Sequence, residues 1–277
     1  MKIHSVIIDP SHVVHRWVWD FELVFFDRKT RFIVGQWMNY WWWLSIPYAL
    51  AYIVIVFVGQ SYMNRRNKRY ELRTALIIWN AFLALFSFWG ACRCVPELIH
   101  SVNQHGLQHS LCNPILKEGV TGLWLWLFII SKVPETIDTL FIVLRRQQLI
   151  FLHWFHHASV LVYCFYSYGH FAPSGRWFTS MNLCVHTIMY GYFALRAARF
   201  QVPRWIQQSI TFLQLVQMAI GCIVNIAAYK YKQEGHHCMT SYNNIFVSLL
   251  LYLAYLLLFA YFFYSTYVRK NVKERTE

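Results

Sequence analysis

The chain has 277 residues, is 57% hydrophobic and 19% aromatic, and carries only 13% charged side chains, with a formal net charge of +13. That much apolar side chain exceeds what one soluble core can enclose, and the long apolar runs read as membrane spans of about 20 residues each, which excludes a soluble domain. The positive charge calls for no nucleic acid, because orientation across a bilayer and attraction to anionic lipid account for it; the same basic loops could also receive a polyanionic substrate.

Residues 1–34 form an aromatic, mixed-charge tail. Within it WVWDFELVFFDRKTRF suits an amphipathic segment at a membrane surface, and no apolar core followed by a small-residue cleavage site marks a removable signal peptide. Residues 35–268 hold seven candidate spans, near 37–60, 73–95, 116–143, 149–169, 177–195, 206–229 and 243–267, and 269–277 form a C-terminal tail. The expected fold class is therefore all-α integral membrane, with seven transmembrane helices. Trp41, Trp42, Trp43, Trp177 and Tyr267 fall near span ends, where amphipathic rings collect.

Alternate loops differ in charge. One side holds fourteen Lys and Arg and the other, without the N-tail, only four. The five basic residues of the N-tail weaken this bias without reversing it. The positive-inside rule then places the 61–73 loop and the C-terminus in the cytosol, with the N-terminus lumenal or outside. Cys112 and Cys238 fall in loops on the lumenal side, where a disulfide is permitted and would clamp two halves of a bundle together. The seven cysteines are scattered and form no CxxC pair, so no metal is expected from cysteine.

Polar groups inside the spans carry the functional argument, because charge at membrane depth is costly and is usually paired and turned to a cavity. Lys132, Glu135, Asp138 and Thr139 stand at i, i+3, i+6 and i+7, on one helical face, beside Pro134, which suits a bend. One cation and two anions there can neutralise one another, and such a network could serve packing alone. His153, His156 and His157 share a face at i, i+3 and i+4. Asn182, His186, Met189 and Tyr190 form a third stripe, and Thr211, Gln214, Gln217 and Asn225 a fourth. Polar stripes on separate spans describe a closed polar chamber.

Two chemistries suit three imidazoles in such a chamber. Iron ligation, as in membrane di-iron desaturases and hydroxylases, draws on several histidine boxes, whereas this chain has one HxxHH, so no metal is expected. The other is nucleophilic or general-base catalysis by a neutral imidazole. Span count alone would also suit a seven-span transporter or receptor, which leaves the histidine box without purpose.

Four ordered boxes carry a resemblance. Lys132-Val-Pro-Glu135-Thr-Ile-Asp138-Thr139 resembles the KxxExxDT box of the very-long-chain fatty acid elongases. His153-Trp-Phe-His156-His157 resembles their HxxHH box, and Asn182 to Tyr190 and Thr211 to Gln217 resemble their third and fourth boxes. The LHWFHH form is similar to the branch acting on saturated and monounsaturated chains. Phe193 stands where a strict third box ends in Tyr, which removes any role for a hydroxyl there.

The resemblance implies a decarboxylative Claisen condensation of long-chain acyl-CoA with malonyl-CoA to 3-ketoacyl-CoA, with no cofactor. It implies that six of the seven helices enclose an acyl-chain tunnel, CoA entering from the cytosol. His156 maps to the proposed nucleophile and His186 to its partner, with His153 and His157 orienting the imidazole. Glu135 and Asp138 would support them, and Asn182, Gln214, Tyr190 and Lys132 would contact the thioester or malonyl group. Arg145, Arg146, Arg204 and Lys270 are candidates for the CoA phosphates. Residence in the endoplasmic reticulum membrane follows from the family, and Lys273 and Arg275 resemble a dilysine retrieval signal. Homodimers and association with the other elongation-cycle enzymes are implied likewise. Chain-length preference depends on the side chains closing the lumenal end of the tunnel, which the boxes do not identify.

Overall fold

The computed structural model describes residues 3–8, 13–24, 28–66, 68–114 and 119–269. It opens with two short strands, β1 (Ile3–Ile8) and β2 (Val14–Trp19), paired antiparallel with Ile3 opposite Trp19 and Ile8 opposite Val14. Both are rich in β-branched and aromatic residues, which fit a pleated, half-buried ribbon. Helix α1 (Asp20–Val24) and α2 (Arg28–Trp41) follow, and a 3₁₀ turn, Trp42–Leu44, leads into α3 (Ser45–Arg65). The remaining helices are α4 (Arg73–Cys112), α5 (Gly119–Glu135), α6 (Ile137–Leu144), α7 (Phe151–Gly169), α8 (Gly175–Ala197), α9 (Arg204–Gln233) and α10 (Tyr242–Phe263), with a π-helical turn at Tyr264–Val268.

The all-α expectation thus holds for the membrane region but not for the tail. That tail does not simply lie on a surface. Glu22 and Val18 are fully buried, and Arg93 of α4 reaches Glu22 with Nε to Oε1 at 2.8 Å and Nη2 to Oε2 at 3.0 Å. The same guanidinium donates to the carbonyls of Arg16 and Trp17, while Trp124 Nε1 of α5 donates to Glu22 Oε1 at 2.6 Å. A buried Arg is tolerable because its donors meet a carboxylate and two carbonyls.

Among the described residues, four helical stretches are long and apolar enough to cross a membrane: Phe32–Arg65, Arg73–Cys112, Arg204–Gln233 and Tyr242–Val268. The protein is therefore a multi-pass membrane protein. The other expected spans coincide with α5 together with α6, with α7 and with α8, which fall outside those four. Packing runs in a closed cycle from α4 to α8, α9, α10, α7, α5 and back to α4, and α3 packs outside it on α6 and α7. Two glycines set close approaches in this cycle. Gly90 of α4 lies against Leu183 of α8, and Gly221 of α9 lies under the ring of Tyr252 of α10, where a Cβ would meet ring carbons at 2.1 Å.

Breaks in the helices have local causes. α4 turns at Gly106, whose φ of 83° is open to glycine without cost. The helix through Pro134 stops at Glu135 and restarts at Ile137, since proline supplies no N–H to the preceding turn. Ser241 caps α10 by accepting from Asn244 N at 3.2 Å. Cys112, at the end of α4, is disulfide-bonded to Cys238 in the α9–α10 loop, 126 residues away.

Candidate active site

A cavity of about 580 Å³ lies among α4, α6, α7, α8, α9 and α10. His153, His156 and His157 enter its wall from α7, Asn182, His186 and Tyr190 from α8, Gln214 from α9, and Asp138 from α6. All four boxes read from the sequence therefore converge on one space. Arg145 and Arg196, at the C-terminal ends of α6 and α8, line the same cavity near its outer end.

Lys132 and Glu135 stand behind this wall. Lys132 Nζ donates to both carboxylate oxygens of Glu135, at 2.8 and 2.9 Å, and to Asn182 Oδ1 at 3.3 Å. Its three N–H groups are thereby used, so it holds Asn182 rather than facing the cavity. Ser131 Oγ also donates to Glu135 Oε1, at 2.7 Å. Because an ammonium can only donate, Asn182 must present its oxygen to Lys132 and its amide NH₂ to His186 Nε2, 3.1 Å away. Nε2 of His186 is then an acceptor, and its ring hydrogen sits on Nδ1. An ion pair on α5 thus selects a tautomer on α8.

The expected mutual neutralisation of Lys132, Glu135 and Asp138 is not what the structure shows. The break after Pro134 separates Asp138 from the pair, and its oxygens turn to other helices. Trp79 Nε1 of α4 donates to Asp138 Oδ1 at 2.6 Å, and Tyr190 OH to Oδ2 at 2.7 Å. His157 Nε2 lies 4.0 Å from Oδ2. Glu135 likewise meets Lys132 and Ser131 instead of an imidazole.

The three histidines of α7 differ in surroundings. His153 Nε2 is 3.1 Å from Thr139 Oγ1, which also pairs with Tyr52 OH of α3 at 2.7 Å. The rings of His153 and His157 lie 4.6 Å apart. His156 is packed edge to face on Tyr255 of α10, at 4.9 Å, and its Nδ1 has no hydrogen-bond partner among the described residues. Gln214 Nε2 lies 3.3 Å from Met189 Sδ.

The basic candidates divide. Arg145 lines both this cavity and a second, of about 560 Å³, formed by Lys68, Arg69, Glu71, Arg146 and Gln147. Arg146 Nη1 donates to the Arg66 carbonyl at 2.8 Å, tying the α3–α4 loop beside the α6–α7 loop. Arg204 is exposed at the start of α9 and lines neither cavity. Lys270 lies outside the described residues, as do Lys273 and Arg275.

Sequence reasoning missed Trp79, Tyr52, Tyr255 and Arg196 as site residues. The first three carry no charge or periodic signal in apolar runs, and Arg196 was legible only as a topology charge. Among the described residues, no three His, Cys, Asp or Glu side chains are grouped to hold a metal ion.

A polytopic membrane protein with a cluster of imidazoles in a mostly apolar cavity, lined at one end by Arg145 and Arg196, is built as a membrane enzyme for an amphipathic anionic substrate. The chain belongs to the GNS1/SUR4 (ELO) family, which it matches over residues 37–275. It is 48% identical over 268 residues to very long chain fatty acid elongase 6 of Drosophila melanogaster, covering 95% of this chain and 82% of that one. Human very long chain fatty acid elongases 6 and 3 are 43% and 42% identical over 239 and 238 residues, each covering 86% of this chain and 89% and 87% of their own. It is thus a very-long-chain fatty acid elongase, a condensing enzyme of the 3-oxoacyl-CoA synthase class, and it falls with the branch to which the LHWFHH form points.

Proposed function

We propose that the enzyme condenses a long-chain acyl-CoA with malonyl-CoA through an acyl-imidazole on His156. The carrying observation is that His156 and His186, from different helices, line one cavity whose rim bears Arg145 and Arg196. An imidazole nitrogen of His156 attacks the thioester carbonyl, the C–S bond breaks, and the imidazole proton leaves with the thiolate as CoA. Malonyl-CoA then loses carbon dioxide, and the resulting enolate carbon attacks the acyl carbon. The C–N bond breaks, 3-ketoacyl-CoA leaves, and a proton returns to the imidazole.

Supporting groups follow from the hydrogen bonds. The Nδ1–H of His186, selected through Asn182 and Lys132, is a donor for the carbonyl oxygen as it gains charge. Tyr190 and Asp138 hold the far side against His157, and Gln214, which lines the cavity, would contact the malonyl group. Arg145 lines both cavities, and the phosphates of CoA would extend over it toward Arg146 and Lys68.

In this reading the chain crosses the bilayer seven times, with α3 peripheral and the six-membered helical cycle enclosing the acyl tunnel. The arginine-lined end of the cavity faces the cytosol and the N-terminus the lumen of the endoplasmic reticulum, an orientation the charge bias supports. Homodimers and complexes with the other elongation-cycle enzymes fit the same membrane setting.

The test uses purified protein and acyl-CoA alone. Free CoA and an acyl mass on the peptide containing His156 are expected, with neither in His156→Ala. Release of CoA only after malonyl-CoA is added would overturn the acyl-enzyme step.

A further inference from the structure

Beside the histidines the cavity is lined by Gln217 and Met218, and a buried aromatic layer that includes Tyr163, Phe178 and Tyr252 packs against Met218. Gly221 lies one turn past Gln217 and Met218, which line the cavity, and Tyr252 crosses α9 directly over that glycine. The ring fills the space a side chain at 221 would need, with carbons 2.1 and 2.2 Å from the Cβ position. Phe178 of α8 packs against the same ring, centroids 4.6 Å apart and planes inclined by 36°. Tyr163 of α7 joins this buried cluster, its hydroxyl donating to Asn244 Oδ1 at 3.1 Å. Tyr252 is thereby wedged between α8 and α9 and is only 9% exposed.

This layer lies on the far side of the histidines from the arginines. Tyr255, whose ring touches His156, follows Tyr252 by three residues of α10, about 4.5 Å of helical rise. Phe178 lies two turns from His186, about 12 Å, in the direction opposite to Arg196. An acyl-CoA whose carbonyl sits at the histidines has its anionic head at Arg145 and Arg196. Its alkyl chain must then run toward Tyr252, the apolar side of the site.

We infer that Tyr252, held between Gly221 and Phe178, is the residue that reads acyl-chain length. Chains that end short of the ring bind without disturbing it. Longer chains turn the ring out of a close-packed aromatic site and lose its contacts, a cost that rises in a step at the length that reaches it. Glycine at 221 keeps the ring inside the bundle and in the path of the chain. This inference rests on the reading that the acyl carbonyl sits at His156 and His186.

The experiment measures kcat/KM of the purified enzyme for saturated acyl-CoAs of rising even length, with malonyl-CoA in excess. In Tyr252→Leu the ratio of kcat/KM for the longest to the shortest accepted substrate should rise on the order of tenfold or more, the discrimination one or a few methylenes give in an apolar pocket. The value for the shortest should hold. A length profile that superimposes on the unsubstituted enzyme's overturns the inference. Phe178→Leu, which loosens the wedge from its other side, should give the same shift and serves if Tyr252→Leu does not fold; an unmoved profile there is equally decisive. Release of CoA from acyl-CoA alone separates the two readings. If that release persists while the profile stays fixed, only the length reading fails; if it is absent from the unsubstituted enzyme, the acyl-imidazole step on His156 fails.

Discussion

Trp79 Nε1 on α4 donates to Asp138 Oδ1 on α6 at 2.6 Å, across 59 residues of sequence. With Tyr190 on the other oxygen, the carboxyl group is held from two helices at 4.0 Å from His157. Trp79 does not line the cavity, so its role is to position. Trp79→Phe keeps most of the ring and deletes the donor. A hydrogen bond to a carboxylate is worth about 1.5–3 kcal/mol, so kcat should fall on the order of tenfold or more with KM little changed. Steady-state kinetics of Trp79→Phe and Tyr190→Phe, singly and together, check this. A change confined to KM, or to the melting temperature, would sink the positioning role.

The buried Arg93–Glu22 pair makes a different prediction, about folding. Arg93→Met strands a fully buried carboxylate, and removing one partner of such a pair costs about 3–5 kcal/mol. The double variant Arg93→Met/Glu22→Leu removes both charges and should recover much of the melting temperature. Thermal unfolding of both in detergent decides. Equal losses in the single and double variants would mean that the guanidinium acts through its bonds to the Arg16 and Trp17 carbonyls instead.

What was legible follows from period. His153, His156 and His157 share a face because their spacing matches the helix, and α7 runs unbroken through them. Asn182 and His186 at i, i+4 are likewise hydrogen-bonded neighbours. The stripe through Pro134 failed as a single face, because the helix restarts at Ile137 and Asp138 finds Trp79 and Tyr190. No periodic rule joins a tryptophan on one helix to a carboxylate on another. The N-terminal hairpin was hidden for a related reason: Glu22 reads as an exposed tail charge until Arg93 and Trp124, far along the chain, meet it.

The Cys112–Cys238 bridge was legible from charge counting, since both loops fall on the weakly basic side. Loss of a native disulfide that closes a long loop typically costs about 2–5 kcal/mol. Cys112→Ser should therefore lower the melting temperature, and reductant should bring the unsubstituted protein to a similar value. The Met239 N to Cys112 carbonyl bond, at 3.0 Å, can still hold the loop locally. Reductant that leaves the melting curve unmoved would show that the bridge contributes nothing to stability.

Arg145 and Arg204 were equivalent candidates in the sequence and are not equivalent in the fold. Arg145 lines both cavities, whereas Arg204 is exposed and lines neither. If the CoA phosphates lie over Arg145, Arg145→Ala should raise KM for acyl-CoA on the order of tenfold, the loss of one charge-assisted pair, while Arg204→Ala should leave KM near its starting value. Salt supplies an independent readout. Exposed charge pairs are screened with a Debye length of about 8 Å at physiological ionic strength, so KM of the unsubstituted enzyme should climb as salt is added. That climb should be shallower in Arg145→Ala, because one of the screened contacts is already gone. Arg204→Ala with the larger KM would move the phosphate site onto the start of α9, and salt profiles parallel in all three proteins would take it away from both arginines.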